Sequence, residues 1–251
     1  MEGIPKPRLI EILPYVSEKV TSEPGIPGSP YSKGTRWNGN AGIDGKIGVG
    51  DFTFDITVNP DFGQIEADPS VMNLTEFETF YEEKRPFFLE GKHIFDFSPD
   101  NNMVFYSRRI GHVPSYFPPV DNKTSFTRVP EFTKIINAIK LTGTTRNGVS
   151  IGILQSTTQE ERADLIVDGI ETKPVAEPLT SFLVARVQKT ANKGNTQLGT
   201  IFTSVNRFLY ESNLNSLNRN AFTVGIDFLQ YMKNRNYFID FKGIVSYINC
   251  K

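Results

Sequence analysis

The chain has 251 residues with 27 Lys+Arg against 28 Asp+Glu, and a net charge of −1 argues against a nucleic-acid or anionic-membrane-surface footprint. A single cysteine, Cys250, excludes an intrachain disulfide framework and any multi-thiolate metal site. No run approaches the roughly 18 apolar residues of a membrane helix, yet 20 Phe, 9 Tyr and 1 Trp make the chain 12% aromatic, and the placement of those rings decides how it reads.

Residues 1–36 hold six prolines together with Gly25, Gly28 and Gly34, and read as a linker with one extended segment at Leu9–Val16. Met1-Glu-Gly-Ile-Pro-Lys-Pro7 lacks the basic and apolar blocks of a secretory signal. At the other end a strand-like run stops at Lys251 without a closing turn, so the chain is expected to be an internal piece of a longer protein.

A first hairpin is predicted within 37–59. Ala41, Ile43 and Ile47 alternate with Asp44 and Lys46, Gly50-Asp51 supplies the turn, and Phe52, Phe54, Ile56 and Val58 alternate with Thr53, Asp55 and Thr57. Residues 60–134 break the pattern and read as an acidic and aromatic collar or plug-like segment. There Asp68-Pro69 offers a helix start, and Val71, Leu74, Phe77, Phe80 and Tyr81 recur at helical spacing up to Arg85-Pro86. Phe87-Phe88-Leu89 and Met103–Tyr106 read as short strands, and Pro114–Pro119 as loop.

From 135 to the end the chain becomes repetitive. Strands of about ten residues are predicted at 136–145, 148–157, 179–188, 197–206, 221–232 and 237–247. Their connections alternate between short, turn-rich pieces (146–147, 189–196, 233–236) and long polar ones (158–178, 207–220). This is the plan of an outer-membrane-type β-barrel. The expected fold is therefore all-β, an antiparallel meander of long hairpins forming a partial barrel, with a mixed loop and short-helix insertion.

Two strands carry the best apolar stripes, assigned as lipid-facing: Phe222, Val224, Ile226 and Phe228, then Tyr237, Ile239, Phe241, Val245 and Tyr247. Tyrosines at both ends match an aromatic girdle. The middle pair is poorer, because Phe182 and Val184 share a face with Arg186. A soluble antiparallel sandwich also alternates and stands as the competing explanation.

The densest polar motif runs from Asn59 through Asp61, Gln64 and Glu66 to Asp68, with Asp55 upstream. Its oxygens suit Ca²⁺ in kind but not in EF-hand spacing, and a solvated acidic turn is commoner. With Glu82-Glu83-Lys84-Arg85 and Ser107-Arg108-Arg109 nearby in sequence, an internal ion-pair network is expected instead, built from Asp55, Asp61, Glu66, Asp68, Arg85, Arg108 and Arg109. No catalytic residue, metal set or cofactor site is singled out. There is no Gly-x-Ser-x-Gly elbow or phosphate-binding loop, His93 and His112 lie in loop-like segments, and no carboxylate pair stands out as acid and base. Asn73-Leu-Thr75 and Asn122-Lys-Thr124 match the glycosylation sequon, a pattern short enough to arise by chance.

Several longer runs carry a family resemblance: Phe54-Asp-Ile-Thr-Val-Asn-Pro-Asp-Phe-Gly-Gln-Ile-Glu-Ala-Asp-Pro69, Asn73-Leu with Phe77-Glu-Thr-Phe80, Glu83-Lys-Arg-Pro-Phe-Phe-Leu-Glu-Gly91, Phe105-Tyr-Ser-Arg-Arg-Ile-Gly111, Ala138-Ile-Lys-Leu-Thr-Gly143 and Pro178-Leu-Thr180. Together they resemble a large Gram-negative bacterial family of exported proteins. Its members carry an N-terminal module similar to family 9 carbohydrate-binding modules, followed by a domain of unknown function that looks like an outer-membrane β-barrel. The carbohydrate-binding module is absent from this sequence. The resemblance implies location in the cell outer membrane, contact with its lipid, and carbohydrate as a partner through the upstream module. It implies no activity for any residue. The expected function is a non-enzymatic barrel piece serving passage, anchoring or glycan-linked uptake; the alternative is a soluble, secreted β-rich domain that binds or acts on carbohydrate.

Overall fold

The computed structural model describes residues 9–22, 28–31, 35–61, 80–99, 103–121 and 124–249. It is all-β, with 57% of residues in strands and antiparallel pairing throughout, and the sheet does not close into a barrel. Nine strands form one sheet in chain order: β1 (Ile10–Ser22), β2 (Thr35–Val49), β3 (Phe52–Val58), β5 (Ile135–Thr144), β6 (Val149–Thr158), β11 (Thr180–Ala191), β12 (Thr196–Arg207), β13 (Asn220–Met232) and β14 (Tyr237–Asn249). The five remaining strands are short. β4 (Ser125–Arg128), β8 (Asp164–Val167) and β9 (Ile170–Thr172) form one small sheet, and β7 (Glu161–Arg162) pairs with β10 (Val175–Glu177).

The meander forms because each strand alternates and each short turn has residues that take its backbone. Gly50 at φ +64° and Gly148 at φ +76° turn β2 into β3 and β5 into β6. The β11–β12 and β13–β14 connections take positive φ at Asn192, Lys193 and Gly194, and at Lys233, Asn234 and Arg235. All four short turns lie at one end of the sheet. The strand ends joined by 23–34, 59–134, 159–179 and 208–219 are all at the other.

Several predictions change. The first extended segment is not an isolated piece of linker: β1 runs on to Ser22 and pairs along its whole length with β2. Pro14 is tolerated there because β1 is an edge strand, where a missing N–H costs no ladder bond. Phe87-Phe88-Leu89 is not a strand but part of a single helical turn, α1 (Pro86–Leu89), opened by proline at its first position. Met103–Tyr106 is likewise no strand; it leads into a 3₁₀ turn at Ser107–Arg109. Pro114–Pro119 is irregular as expected. The predicted helix from Asp68 lies outside the described residues as far as position 79, and its expected last residues, 80–85, are irregular; both sequon asparagines, Asn73 and Asn122, also lie outside the described residues.

The core lies on one face of the sheet only. Phe88, Phe95, Phe97 and Ile110, from the segment 80–121, pack against Ile135, Ala138, Leu154, Phe182, Val184 and Ile201 of the strands. Each buried phenyl ring contributes about 1.5–3 kcal/mol. This face is termed inner, and the opposite one outer.

Candidate functional site

The register assigns every strand residue to a face. Outer residues are linked across the sheet by direct pairing, as in the row Phe54–Leu141–Ile153–Ala185–Phe202–Val224–Val245. The two stripes read from the sequence join on this face: Phe222 pairs with Tyr247, Val224 with Val245, and Phe228 with Phe241, with Ile226, Tyr237 and Ile239 in the same alternation. Val245 is 75% exposed and Tyr247 64% exposed, and Ile10, Val16, Trp37 and Leu198 stand exposed on the same face. Among the described strand residues, only Glu18 and Lys189 carry charge there, both toward strand ends. Toward the long-connection end the apolar zone stops at a polar row, Asn137–Thr157–Ser181–Asn206–Asn220–Asn249.

The inner face differs, because it mixes the apolar core residues with buried charge. Phe182, Val184 and Arg186 do share a face, but it is this inner one, while Leu183, Ala185 and Val187 supply the outer stripe of β11. What looks like a defective lipid stripe in the sequence is a core contact with a buried ion pair. Arg186, 3% exposed, donates to Asp227 Oδ1 at 2.7 Å and Oδ2 at 3.1 Å. Gly199 makes this reach feasible, since a Cβ there would sit 2.5 Å from Asp227 Oδ1.

A second pair is set by register alone, because Lys46, Asp55 and Lys140 are directly opposite on β2, β3 and β5. Lys140, 1% exposed, lies 3.3 Å from Asp55 Oδ2, and Lys46 Nζ is 3.9 Å from Asp55 Oδ1. Lys140 also donates to the carbonyls of Phe87 and, at 2.9 Å, Glu90, while Lys46 donates to Glu90 Oε1 at 2.7 Å. The inner face thus holds the segment 80–99 through the Phe87 and Glu90 carbonyls and the Glu90 carboxylate.

Of the expected ion-pair network, Asp55, Asp61, Arg85, Arg108 and Arg109 lie among the described residues. Asp55 faces lysines across the sheet rather than arginines of the collar. Arg85 takes Glu83, two residues away: Nε donates to Oε1 at 2.8 Å and Nη2 to Oε2 at 2.7 Å. The guanidinium also donates to the Ile110 carbonyl at 2.7 Å and the Ser107 carbonyl at 2.8 Å, and lies 4.2 Å over the Phe88 ring. Burial opposes ionisation of Glu83, but the Arg85 hydrogen bonds and charge, with the Ser107 hydroxyl, outweigh it and hold the carboxyl below its usual range. Arg108 donates to the Glu82 carbonyl at 2.8 Å, and Arg109 is exposed in its 3₁₀ turn. Asp61 accepts from Ser17 Oγ, and its N–H donates to Tyr15 Oη at 2.9 Å, which ties the chain beyond β3 to β1. Glu66 and Asp68 lie outside the described residues. The contacts of Asp55 and Arg85 are near ones: Asp55 sits mid-strand between cross-strand lysines, and Arg85 has a carboxylate two residues away.

Lys140, Arg186, Asp227, Lys46, Glu90 and Glu83 are the residues the sequence reading missed. The available signal was one cation in the polar alternation of an otherwise uncharged strand at Lys140, and a cation in line with the apolar Phe182 and Val184 at Arg186. Among the described residues, no three of His, Cys, Asp and Glu converge as a metal set, and no helix is long and apolar enough to cross a membrane.

No curated protein and no solved structure matches the chain. A family profile, described as domain of unknown function DUF5916, matches residues 5–251, and the chain belongs to that family.

Proposed function

We propose that the chain forms the wall and plug of an outer-membrane β-barrel with a non-enzymatic role in passage, anchoring or glycan-linked uptake. One observation carries this: the outer face is apolar, nearly uncharged and left uncovered across nine strands, while the face that carries the charges, together with a small apolar core, is the one that is filled. A soluble sheet protein arranges its faces the other way, with the apolar face covered and the charges in water. The dimensions fit. From Tyr237 to Tyr247 is ten residue steps, about 34 Å along the strand and about 25 Å in height at the usual 40–45° tilt, the thickness of a lipid-facing band. The four short turns and four long connections, sorted to opposite ends, match the turns and loops of such barrels.

Trp37 gives a direct test, because it is the single tryptophan and stands on the outer face. In vesicles its emission shifts to the blue and is quenched by lipids brominated near the headgroup, as expected of an interfacial ring. If the full chain fractionates without detergent and brominated lipid leaves the emission untouched, the wall reading fails. The secreted carbohydrate-binding or carbohydrate-active domain then takes its place.

A further inference from the structure

We infer that Arg85–Ser98 is a fixed seal of the lumen, clasped by Lys140 and Arg186, so that the barrel has no open passage at rest; this rests on the wall reading above. The two cations do the same job at separate points. Each is buried, each pairs with a wall carboxylate, and each lies against a phenyl ring of the segment. Lys140 Nζ is 4.7 Å from the Phe87 ring centroid, and Arg186 Cζ is 5.1 Å from that of Phe97. A cation on a ring is held more strongly away from water, and here the ion pair fixes its position as well.

The wall is also cut to receive the segment. A Cβ on Gly152 would lie 2.8 Å from Ile94 Cγ2 and 2.9 Å from Phe95 Cε1, and one on Gly225 would lie 2.7 Å from Phe97 Cζ. Gly91, at φ +69°, turns the segment against Thr142, where a Cβ would find the hydroxyl oxygen at 3.0 Å. Thr142 is on β5, Gly152 on β6 and Gly225 on β13, and Lys242 of β14 donates to the Ser98 carbonyl at 3.3 Å. With Lys46 of β2 on Glu90, the contacts of the segment run across eight neighbouring strands, from β2 to β14. A gate resting on one side of a lumen needs no slots in strands so far apart.

The chain on the C-terminal side of the segment is tied to the long-connection end, by Tyr116 N–H to the Ala176 carbonyl and Thr133 N–H to the His112 carbonyl, both at 2.9 Å. Withdrawal toward that end is the motion the connectivity allows, and any cargo then enters or leaves behind it.

The test is efflux of a small anionic dye from vesicles holding the full chain, run only on material that floats with lipid after an alkaline wash. Failure to float sinks the wall reading; every later result bears on the seal. Wild-type vesicles are expected to retain dye as protein-free ones do. Lys140→Met with Arg186→Met is expected to leak about tenfold faster or more, since the loss of two clasps shifts the closed population. Phe97→Ala, which empties one slot and removes the ring under Arg186 but leaves both ion pairs in place, is expected to leak as well and guards against a folding failure in the double variant. Fast leakage from wild-type vesicles overturns the seal, as does tight retention by both variants with strand circular dichroism intact.

Discussion

Glu83 and Glu161 are buried carboxylates outside the nine long strands, and pH acts on them in opposite senses. Burial pushes the Glu161 carboxyl up, although the Lys134 N–H donates to it at 3.0 Å. A carboxyl held low stabilises the fold above its unfolded value, near pH 4.3, and that contribution disappears as pH falls through the lowered folded value. A carboxyl held high does the reverse: its contribution is present while it is protonated and is lost as pH rises through the raised folded value. Glu83→Gln is thus expected to lower stability at pH 7 by about 3 kcal/mol, because Arg85 is left buried beside a neutral amide. Glu161→Gln is expected to raise the Tm at pH 7.5, with the gain vanishing near pH 4. Thermal melts of both variants at the two pH values check this; a Tm loss for Glu161→Gln at pH 7.5 contradicts it. At the same scale Arg85→Ala costs several times more than Arg108→Ala, since Arg85 is buried with Glu83 while Arg108 is only half-buried. The sequence offered both arginines as equals. Their difference depends on which carbonyls the chain folds back to present, and no local spacing records that.

The long strands were legible because their evidence is local: period-two alternation inside each strand, and glycine or asparagine at each turn. The predicted ranges from 136 onward differ from those observed by at most three residues at either end. The segment 80–121 was not legible in the same way. Phe87-Phe88-Leu89 has the composition of a strand, but Pro86 starts a helical turn there, and its rings are ordered by contacts with strands more than 40 residues away. The sorting of connections to opposite ends makes a prediction for these elements. An epitope inserted at Asp168-Gly169, an exposed turn with both residues at positive φ, is expected to be tolerated and to bind antibody on intact cells. The same epitope in the turn 233–236 is expected to be reached only after the outer membrane is opened. Equal labelling of both sites contradicts one-sided sorting.

At the level of the whole molecule, the apolar outer face was visible strand by strand, but its continuity was not, because that requires the register between strands. The strongest discriminator follows from it. Val224→Arg places a guanidinium in the middle of the outer face, and on a lipid-facing wall this costs about 2–4 kcal/mol, read as a lower denaturant midpoint in detergent or vesicles. On a water-facing sheet the same change is nearly neutral and improves solubility.

Strand count has a geometric outcome of its own. Nine strands that alternate in direction leave β1 and β14, 13 residues each, pointing the same way along the two outer edges. A ring made from these nine alone would contain one parallel seam, whereas every rung in the sheet is antiparallel. The edges therefore cannot join as the other strands do. In lipid, where each backbone N–H and C=O must find a partner, an all-antiparallel ring requires an odd number of strands to intervene between them.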